Sequence, residues 1–166
     1  MTVARHRGGV ARSVPVAVLD TSVLYGEASR RQLVSAVNEG RFDGVWSPHV
    51  IAELNRVLTI RWLREHGSGV ASLRDLSQSA KKMMAFLFVV LRLVDTSRTD
   101  APTIDLRDAD DYHLVHAARL GRAAFVVSAN TRDFPPPGRD GRRSYDGIEF
   151  IEPAPFLARL AKLRSR

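Results

Sequence analysis

Val-Pro-Val-Ala-Val-Leu-Asp-Thr-Ser, residues 14–22, is the stretch that decides the fold of this chain. Its apolar part is rich in β-branched residues, has the length of one strand, and ends at the polar residues Asp20, Thr21 and Ser22. This pattern is typical of a strand that is buried on both faces of a sheet. Ala123–Ser128 is a second uninterrupted run of the same kind. The two runs predict a sheet that lies between layers of helices.

Helical patterns separate the predicted strands. Ser47 and Pro48 are typical of the first residues of a helix, Gly67 is predicted to end it, and Gly121 is predicted to end a later one. The alternation of strands and helices predicts a three-layer α/β/α sandwich with a mainly parallel central sheet. Helices are expected at about 29–39, 48–66, 70–90, 109–120 and 153–163, and further strands at 42–46, 91–94 and 147–151.

The chain has 166 residues, of which 45% are hydrophobic and 26% charged, the composition of an ordinary globular protein. Residues 1–13 are expected to form a flexible basic tail and residues 14–166 a single domain. The longest apolar run, Met83–Leu91, is far shorter than the roughly 20 residues that cross a bilayer. With no signal-peptide core either, a soluble, cytoplasmic protein is expected. Four side chains of the central helical stretch are expected in the core: Met83, Met84, Phe86 and Phe88.

Charge is distributed unevenly along the chain. Lys and Arg number 25 against 18 Asp and Glu, which gives a formal net charge of +7. No acidic residue precedes Asp20 or follows Glu152, whereas residues 100–111 hold five Asp against one Arg. A basic protein is suited to contact a polyanion, and an acidic stretch is suited to cap a helix or hold a cation. The absence of Cys excludes a disulfide scaffold, a thiol nucleophile and a cysteine zinc site.

Polar residues follow both predicted buried strands. Asp20 ends the first strand, and Asn130 and Asp133 follow the second, at the carboxyl edge where open parallel sheets place their functional crevice. Asp111, which opens a predicted helix, and Glu53, which lies inside another, could join them. Two carboxylates about 5 Å apart repel by about 3 kcal/mol at an effective dielectric of about 20. A divalent cation offsets that cost, and oxygen ligands suit Mg²⁺ or Mn²⁺.

Each of these residues also has a purely structural interpretation. Asp20 could cap the turn that follows its strand, because Asp is common there. Glu53 could pair with His49 or Arg56 on an exposed helix face. The remaining polar residues could cap helices or form turns: Asp108, Asp110, Asp111, Asn130 and Asp133.

Two pairs of residues have the spacing of metal ligands on a helix. His113 and His116, three residues apart, could hold zinc, but the pattern offers no third ligand, and surface histidines are the alternative. His49 and Glu53, four residues apart, are interpreted as a surface contact.

Four stretches, in this order and spacing, resemble the motifs of PIN-domain ribonucleases, the fold of VapC-type toxins. They are Asp-Thr-Ser-Val-Leu at 20–24, Ser-Pro-His-Val-Ile-Ala-Glu-Leu at 47–54, Asp-Ala-Asp-Asp-Tyr-His-Leu at 108–114 and Val-Ser-Ala-Asn-Thr-Arg-Asp-Phe-Pro at 127–135. The resemblance extends over about residues 16–160, nearly the whole chain.

The resemblance implies a set of site residues. Asp20, Glu53 and Asp111 would be the metal-binding carboxylates, and with Asp133 they would form the catalytic set. Asn130 stands where many members carry a fourth Asp, which leaves open whether one or two metals operate. Auxiliary polar roles are expected for Thr21, Ser22, Asp108 and Asn130, and phosphate contacts for Arg107 and Arg132.

The function implied by the resemblance is endonucleolytic hydrolysis of RNA with Mg²⁺, or Mn²⁺, as cofactor. A metal-activated water would attack the phosphodiester in line and leave a 5′-phosphate and a 3′-hydroxyl, with Glu53 or Asp111 as the base. As the toxin of a toxin–antitoxin pair, the chain would have RNA as its substrate, and a small antitoxin protein and a second copy of itself as partners.

Two other functions stay open at this point. The replacement of an acid by Asn130 is compatible with a non-catalytic RNA-binding or regulatory module of the same fold. A phosphatase for small phosphates would need an aspartyl nucleophile with a lysine partner, and lysine occurs only at Lys81, Lys82 and Lys162.

Overall fold

The computed structural model describes residues 14–97 and 112–164. The first range holds, in chain order, β1 (Val16–Leu19), α1 (Thr21–Tyr25), α2 (Glu27–Asn38), β2 (Asp43–Trp46), α3 (Pro48–His66), α4 (Val70–Val90) and β3 (Arg92–Leu93). The second range holds α5 (Tyr112–Gly121), β4 (Phe125–Val127), a short 3₁₀ turn (Thr131–Asp133), β5 (Arg143–Tyr145), β6 (Ile148–Ile151) and α6 (Pro153–Arg164).

The six strands form one sheet in the order β3-β2-β1-β4-β6-β5. All neighbouring strands are parallel except β5, which runs antiparallel to β6 at one edge. In the middle of the sheet Val18 of β1 pairs with Val45 on one side and Val126 on the other. Helices cover the sheet in a three-layer α/β/α sandwich, so the predicted fold class is confirmed.

β1 has both of its faces in the hydrophobic core. Ala17, Val18 and Leu19 are consecutive and fully buried, which is possible only for a strand covered on both sides of the sheet. The second apolar run supplies the neighbouring strand β4, where Val126 and Val127 are equally buried. Both runs are therefore central strands, as predicted, and the chain leaves each of them at the carboxyl edge of the sheet.

A short helix follows β1 directly, although the sequence pattern predicts no helix before about residue 29. The Asp20 side chain accepts a hydrogen bond of 2.7 Å from the backbone N–H of Thr21 and caps α1. At the other end, Arg30 donates hydrogen bonds to the carbonyl oxygens of Leu24 and Tyr25, and burial lowers the pKa of its guanidinium. The five-residue helix is thus stabilised at both ends by side chains that the periodicity does not reveal.

A β-hairpin at the edge of the sheet was also not predicted. Asp146 and Gly147 form a two-residue turn in which both φ angles are positive, at 52° and 76°. Positive φ at both positions is the requirement of a type I′ turn, for which Asp-Gly is a favoured sequence. Gly147 therefore belongs to this turn and not to the last strand, which begins at Ile148.

The prediction that Phe86 and Phe88 lie in the core is wrong. Their side chains are 49% and 50% exposed, and within α4 only Leu87 is buried. One side of α4 packs on α3, and the opposite side turns large apolar residues to solvent, including Val89 at 87% exposure. Among the described residues, no helix is long and apolar enough to cross a membrane.

Gly121 is the last residue of α5, as predicted, and packing also requires a glycine at this position. A Cβ atom at this position would lie 3.0 Å from Cγ2 of Val94 and 3.4 Å from Cγ2 of Val45. The next residue, Arg122, has a φ of 55°, which takes the chain out of the helical conformation. The glycine thus allows α5 to approach the sheet closely.

Candidate active site

Asp20 occupies the carboxyl end of the central strand β1, and only 9% of it is exposed. Its Oδ2 accepts hydrogen bonds from the hydroxyls of Ser22, at 2.6 Å, and Ser128, at 2.8 Å. Its Oδ1 accepts the 2.7 Å bond from the N–H of Thr21. Three donors therefore fix the orientation of the carboxylate.

These hydrogen bonds leave one part of the Asp20 carboxylate available. Each carboxylate oxygen accepts about two hydrogen bonds or ligand contacts. Among the described residues, Oδ2 has two donors and Oδ1 has one. Oδ1 is therefore the oxygen from which Asp20 can reach a cation.

The two serines connect the end of β1 with the end of β4. Ser22 Oγ accepts a bond of 2.9 Å from the N–H of Ala129, and Ser128 Oγ accepts one of 3.0 Å from the N–H of Asn130. Ser128 is only 3% exposed, and sequence reasoning did not select it. The signal that could have found it is its position as the last residue of the second buried run, next in the sheet to the strand that ends at Asp20.

Glu53 reaches the same place from helix α3. The helix begins as predicted, with Ser47 as its N-cap and Pro48 at its first position. The hydroxyl of Thr21 donates a hydrogen bond of 2.8 Å to Oε2 of Glu53, while the N–H of the same threonine donates to Asp20. The structure thus brings the two carboxylates, which are 33 positions apart in the chain, to either side of Thr21.

A histidine pair lies beside Glu53. The ligand atoms of His49, Glu53 and His113 all lie within 4.8 Å of one another. The two imidazole rings are stacked, with centroids 3.7 Å apart and an angle of 21° between the planes. His116, the other member of the predicted zinc pair, is buried at 9% exposure and contacts the ring of Tyr112 instead. The structure therefore keeps His49 and Glu53 together and adds His113, from the other predicted pair, as a third possible ligand.

The remaining predicted site residues differ in what the structure shows. Asn130 is exposed and immediately precedes the 3₁₀ turn, in which Arg132 is also exposed. Asp133 ends that turn, and its side chain is outside the described part of the structure. Three predicted residues lie outside the described residues altogether: Arg107, Asp108 and Asp111.

The oxygen ligands among the described residues fit a small hard cation. Asp20 and Glu53 supply carboxylate oxygens at one sheet edge, with hydroxyl groups between them and no sulfur ligand. Oxygen donors of this kind suit Mg²⁺ and Mn²⁺. A third acid would complete a site that keeps open positions for water and a phosphate oxygen.

Comparison with known proteins agrees with this picture. The sequence profile described as PIN domain matches residues 16–132, more than half of the chain. PIN domains are generally nucleases, and they generally use divalent metals. The solved structure of VapBC2 from Rickettsia felis bound to a DNA fragment from their promoter aligns with a TM-score of 0.48 and 12% identity, covering 82% of this chain and 98% of that one. No curated protein matches the sequence.

Proposed function

This chain belongs to the PIN domain family, and on that premise we propose that it is an Mg²⁺- or Mn²⁺-dependent endoribonuclease. The observation that carries the proposal is the hydrogen-bonded unit in which Thr21 joins Asp20 to Glu53 at the centre of the sheet edge. A net charge of +7 supports a polyanionic substrate. We therefore assign RNA phosphodiester hydrolysis to this edge.

Asp20, Glu53 and Asp111 would hold the cation. Asp20 would contribute Oδ1, because its other oxygen already accepts two hydroxyl hydrogen bonds. Asp111 is the residue before Tyr112, where α5 begins, and His113 on the first turn of α5 lies beside Glu53. This proximity supports Asp111 as the third carboxylate.

A bound divalent cation supplies charge stabilisation for the phosphate and lowers the pKa of a water. The residues of this chain would do the rest. Ser22 and Ser128 hold the Asp20 carboxylate in its orientation, and Glu53 or Asp111 would take the proton from the attacking water. Arg132 is exposed at the same edge and would contact a substrate phosphate, a role also proposed for Arg107.

A cleavage assay on an end-labelled RNA of mixed sequence tests the proposal. The full chain should cut it with Mg²⁺ or Mn²⁺, leave 5′-phosphates, and stop in EDTA. Asp20→Asn keeps a good helix cap and should lose at least about 100-fold in rate, because outer-shell changes around a metal alone cost about 10–100-fold. Asp75→Asn, an exposed acid on α4, is the matched control and should cut normally.

Two results would contradict the proposal: no scission with either metal, or an Asp20→Asn variant as active as the wild type. RNA binding that is insensitive to EDTA, without scission, would instead favour the non-catalytic module. Asn130 is the observation behind that alternative, since it contributes no negative charge where an acid is expected.

We further propose that the enzyme is the toxin of a toxin–antitoxin pair and that its substrate is cellular RNA. Induced expression should then arrest growth, and Asp20→Asn or Asp111→Ala should abolish the arrest. Co-expression of a small protein encoded next to the gene should also restore growth. Arrest that persists in both variants would separate toxicity from the carboxylate site.

The outer side of α4 is the proposed homodimer surface. Val89 is the most exposed residue there, with the half-exposed Phe86 on one side and, on the other, Phe88, whose ring also contacts Trp46; exposed apolar clusters of this kind mark protein contacts. Val89→Lys should convert a dimer to a monomer in light-scattering measurements, without loss of folding. Val70→Lys, at 78% exposure at the other end of α4, is the control and should leave the mass unchanged.

A further inference from the structure

Helix α3 and helix α5 together present two imidazoles and one carboxylate at a single point. His49 and Glu53 are four residues apart on α3, so both lie on one face of the helix. His113 comes from the first turn of α5 and has a buried Nε2 atom. The three ligand atoms lie within 4.8 Å of one another. This is a different donor set from the carboxylates around Asp20, since two of its three members are nitrogen ligands.

We propose that His49, Glu53 and His113 bind a transition-metal cation of the zinc class. Imidazole nitrogens suit Zn²⁺ and its neighbours in the transition series, whereas Mg²⁺ prefers oxygen ligands. Two histidines and a glutamate form a known catalytic-type zinc ligand set, which leaves the fourth position to water. Its two nitrogen ligands therefore disfavour Mg²⁺, the cation expected at Asp20.

The approach of the three side chains requires only a local adjustment. Ligand atoms on one zinc ion are separated by roughly 3.3 Å, as follows from bonds of about 2.0–2.1 Å and a tetrahedral angle. Because the two rings are stacked, we infer that one ring turns when both nitrogens converge on a cation. His49 is exposed on the first turn of α3, so its side chain has room for the rotamer change that this movement requires.

Glu53 connects this site to the proposed nuclease centre. Its Oε2 accepts the hydroxyl of Thr21, whose N–H is bonded to Asp20. Zinc bound through Glu53 would withdraw this carboxylate from the Mg²⁺ site, so we infer that zinc inhibits cleavage. This regulatory part rests on the proposed nuclease function, whereas the binding part does not.

Zinc binding to the full, tag-free chain can be measured by competition with a chromogenic zinc indicator and by the shift of the melting temperature with ZnCl₂. We expect about one ion per chain and a raised melting temperature. His49→Ala and His113→Asn should each weaken binding by at least about 10-fold, because even outer-shell changes cost that much. His66→Ala is the matched control, an exposed histidine on the same helix whose ring stacks on Trp62, and should bind zinc as the wild type does.

The second measurement is the ratio of cleavage rates with and without micromolar zinc at saturating Mg²⁺. The ratio should fall well below one in the wild type and the His66→Ala control, and rise toward one in the His49→Ala variant. Absence of zinc binding, or equal binding by wild type and His49→Ala, would overturn the inference even if RNA is cut. Zinc binding that depends on His49 in a protein that cuts no RNA would uphold the site and remove the nuclease proposal alone.

Discussion

The two carboxylates that meet at Thr21 are held in very different ways. Asp20 is 9% exposed and receives three hydrogen bonds at the end of a fully buried strand. Glu53 is half-buried on a helix and, among the described residues, receives the single bond from Thr21. Asp20 is therefore part of the folded core (the core end of the site), whereas Glu53 lies at its more exposed rim. Substitutions of Asp20 should therefore affect stability as well as activity, whereas substitutions of Glu53 should affect mainly activity.

The largest expected effect on stability is at the core end. Asp20→Ala removes the cap of α1, at about 1 kcal/mol, and leaves partly buried hydroxyls without their acceptor, at roughly 1–3 kcal/mol. Urea unfolding should show a free energy of unfolding lower by about 2–4 kcal/mol. Asp20→Asn, which can still cap and accept, should lose much less. Equal losses for the two variants would mean that the charge, and not the hydrogen bonding, stabilises this end.

Ser128 should come next. Ser128→Ala removes a buried donor to Asp20 and an acceptor for the N–H of Asn130, so we expect a loss of about 1–2 kcal/mol in the free energy of unfolding. Ser22→Ala, in which the lost hydroxyl is half-buried, should cost less by the same measurement. If Ser22→Ala proves the more destabilising change, the core end depends on α1 and not on the link to β4.

Thr21 tests the link between the two ends. Thr21→Val keeps the shape and the backbone hydrogen bond to Asp20 but removes the hydroxyl that donates to Glu53. We expect RNA cleavage to fall by about 10-fold and the free energy of unfolding by about 1 kcal/mol. Thr21→Ser retains the hydroxyl and should restore most of the cleavage rate. A Thr21→Ser variant as slow as Thr21→Val would show that the methyl group matters and the hydrogen bond does not.

The smallest stability effect is expected at the rim. Glu53→Gln keeps an acceptor for Thr21 on a half-buried helix position, so the free energy of unfolding without metal should change by no more than about 0.5 kcal/mol. Cleavage should nevertheless fall strongly, because the carboxylate charge is lost. A destabilisation comparable with that of Asp20→Ala would remove the distinction between core and rim.

Much of the fold could be predicted because burial of consecutive residues leaves a clear mark in the sequence. The runs that became β1 and β4 are apolar at every position, which only a doubly covered strand requires. α1 and β5 left no such mark, since each is only a few residues long and is set by capping or by turn geometry. Phe86 and Phe88 misled because helical periodicity shows that a face is apolar and not what covers it.

The site was harder to predict than the fold. The acids Asp20 and Glu53 were selected by their positions in motifs, and their connection through Thr21 is visible only in three dimensions. His49 and His113 were each paired with a neighbour on the same helix, because sequence spacing detects contacts within a helix and not between two helices. The assignment of Asp111 stays a prediction.

The two edge strands of the sheet affect how the protein behaves at high concentration. In the described part of the chain, one border strand, β3, has two residues and the other, β5, has three. The unpaired backbone groups of a long, flat edge strand can pair with a strand of another molecule, which is the first step toward fibrils. Here both edge strands are too short to pair well with another chain. In addition, Arg92 of β3 forms an ion pair with Asp43 of the adjacent strand. Stocks of the protein should therefore resist amyloid-type precipitation, and any self-association should be reversible on dilution.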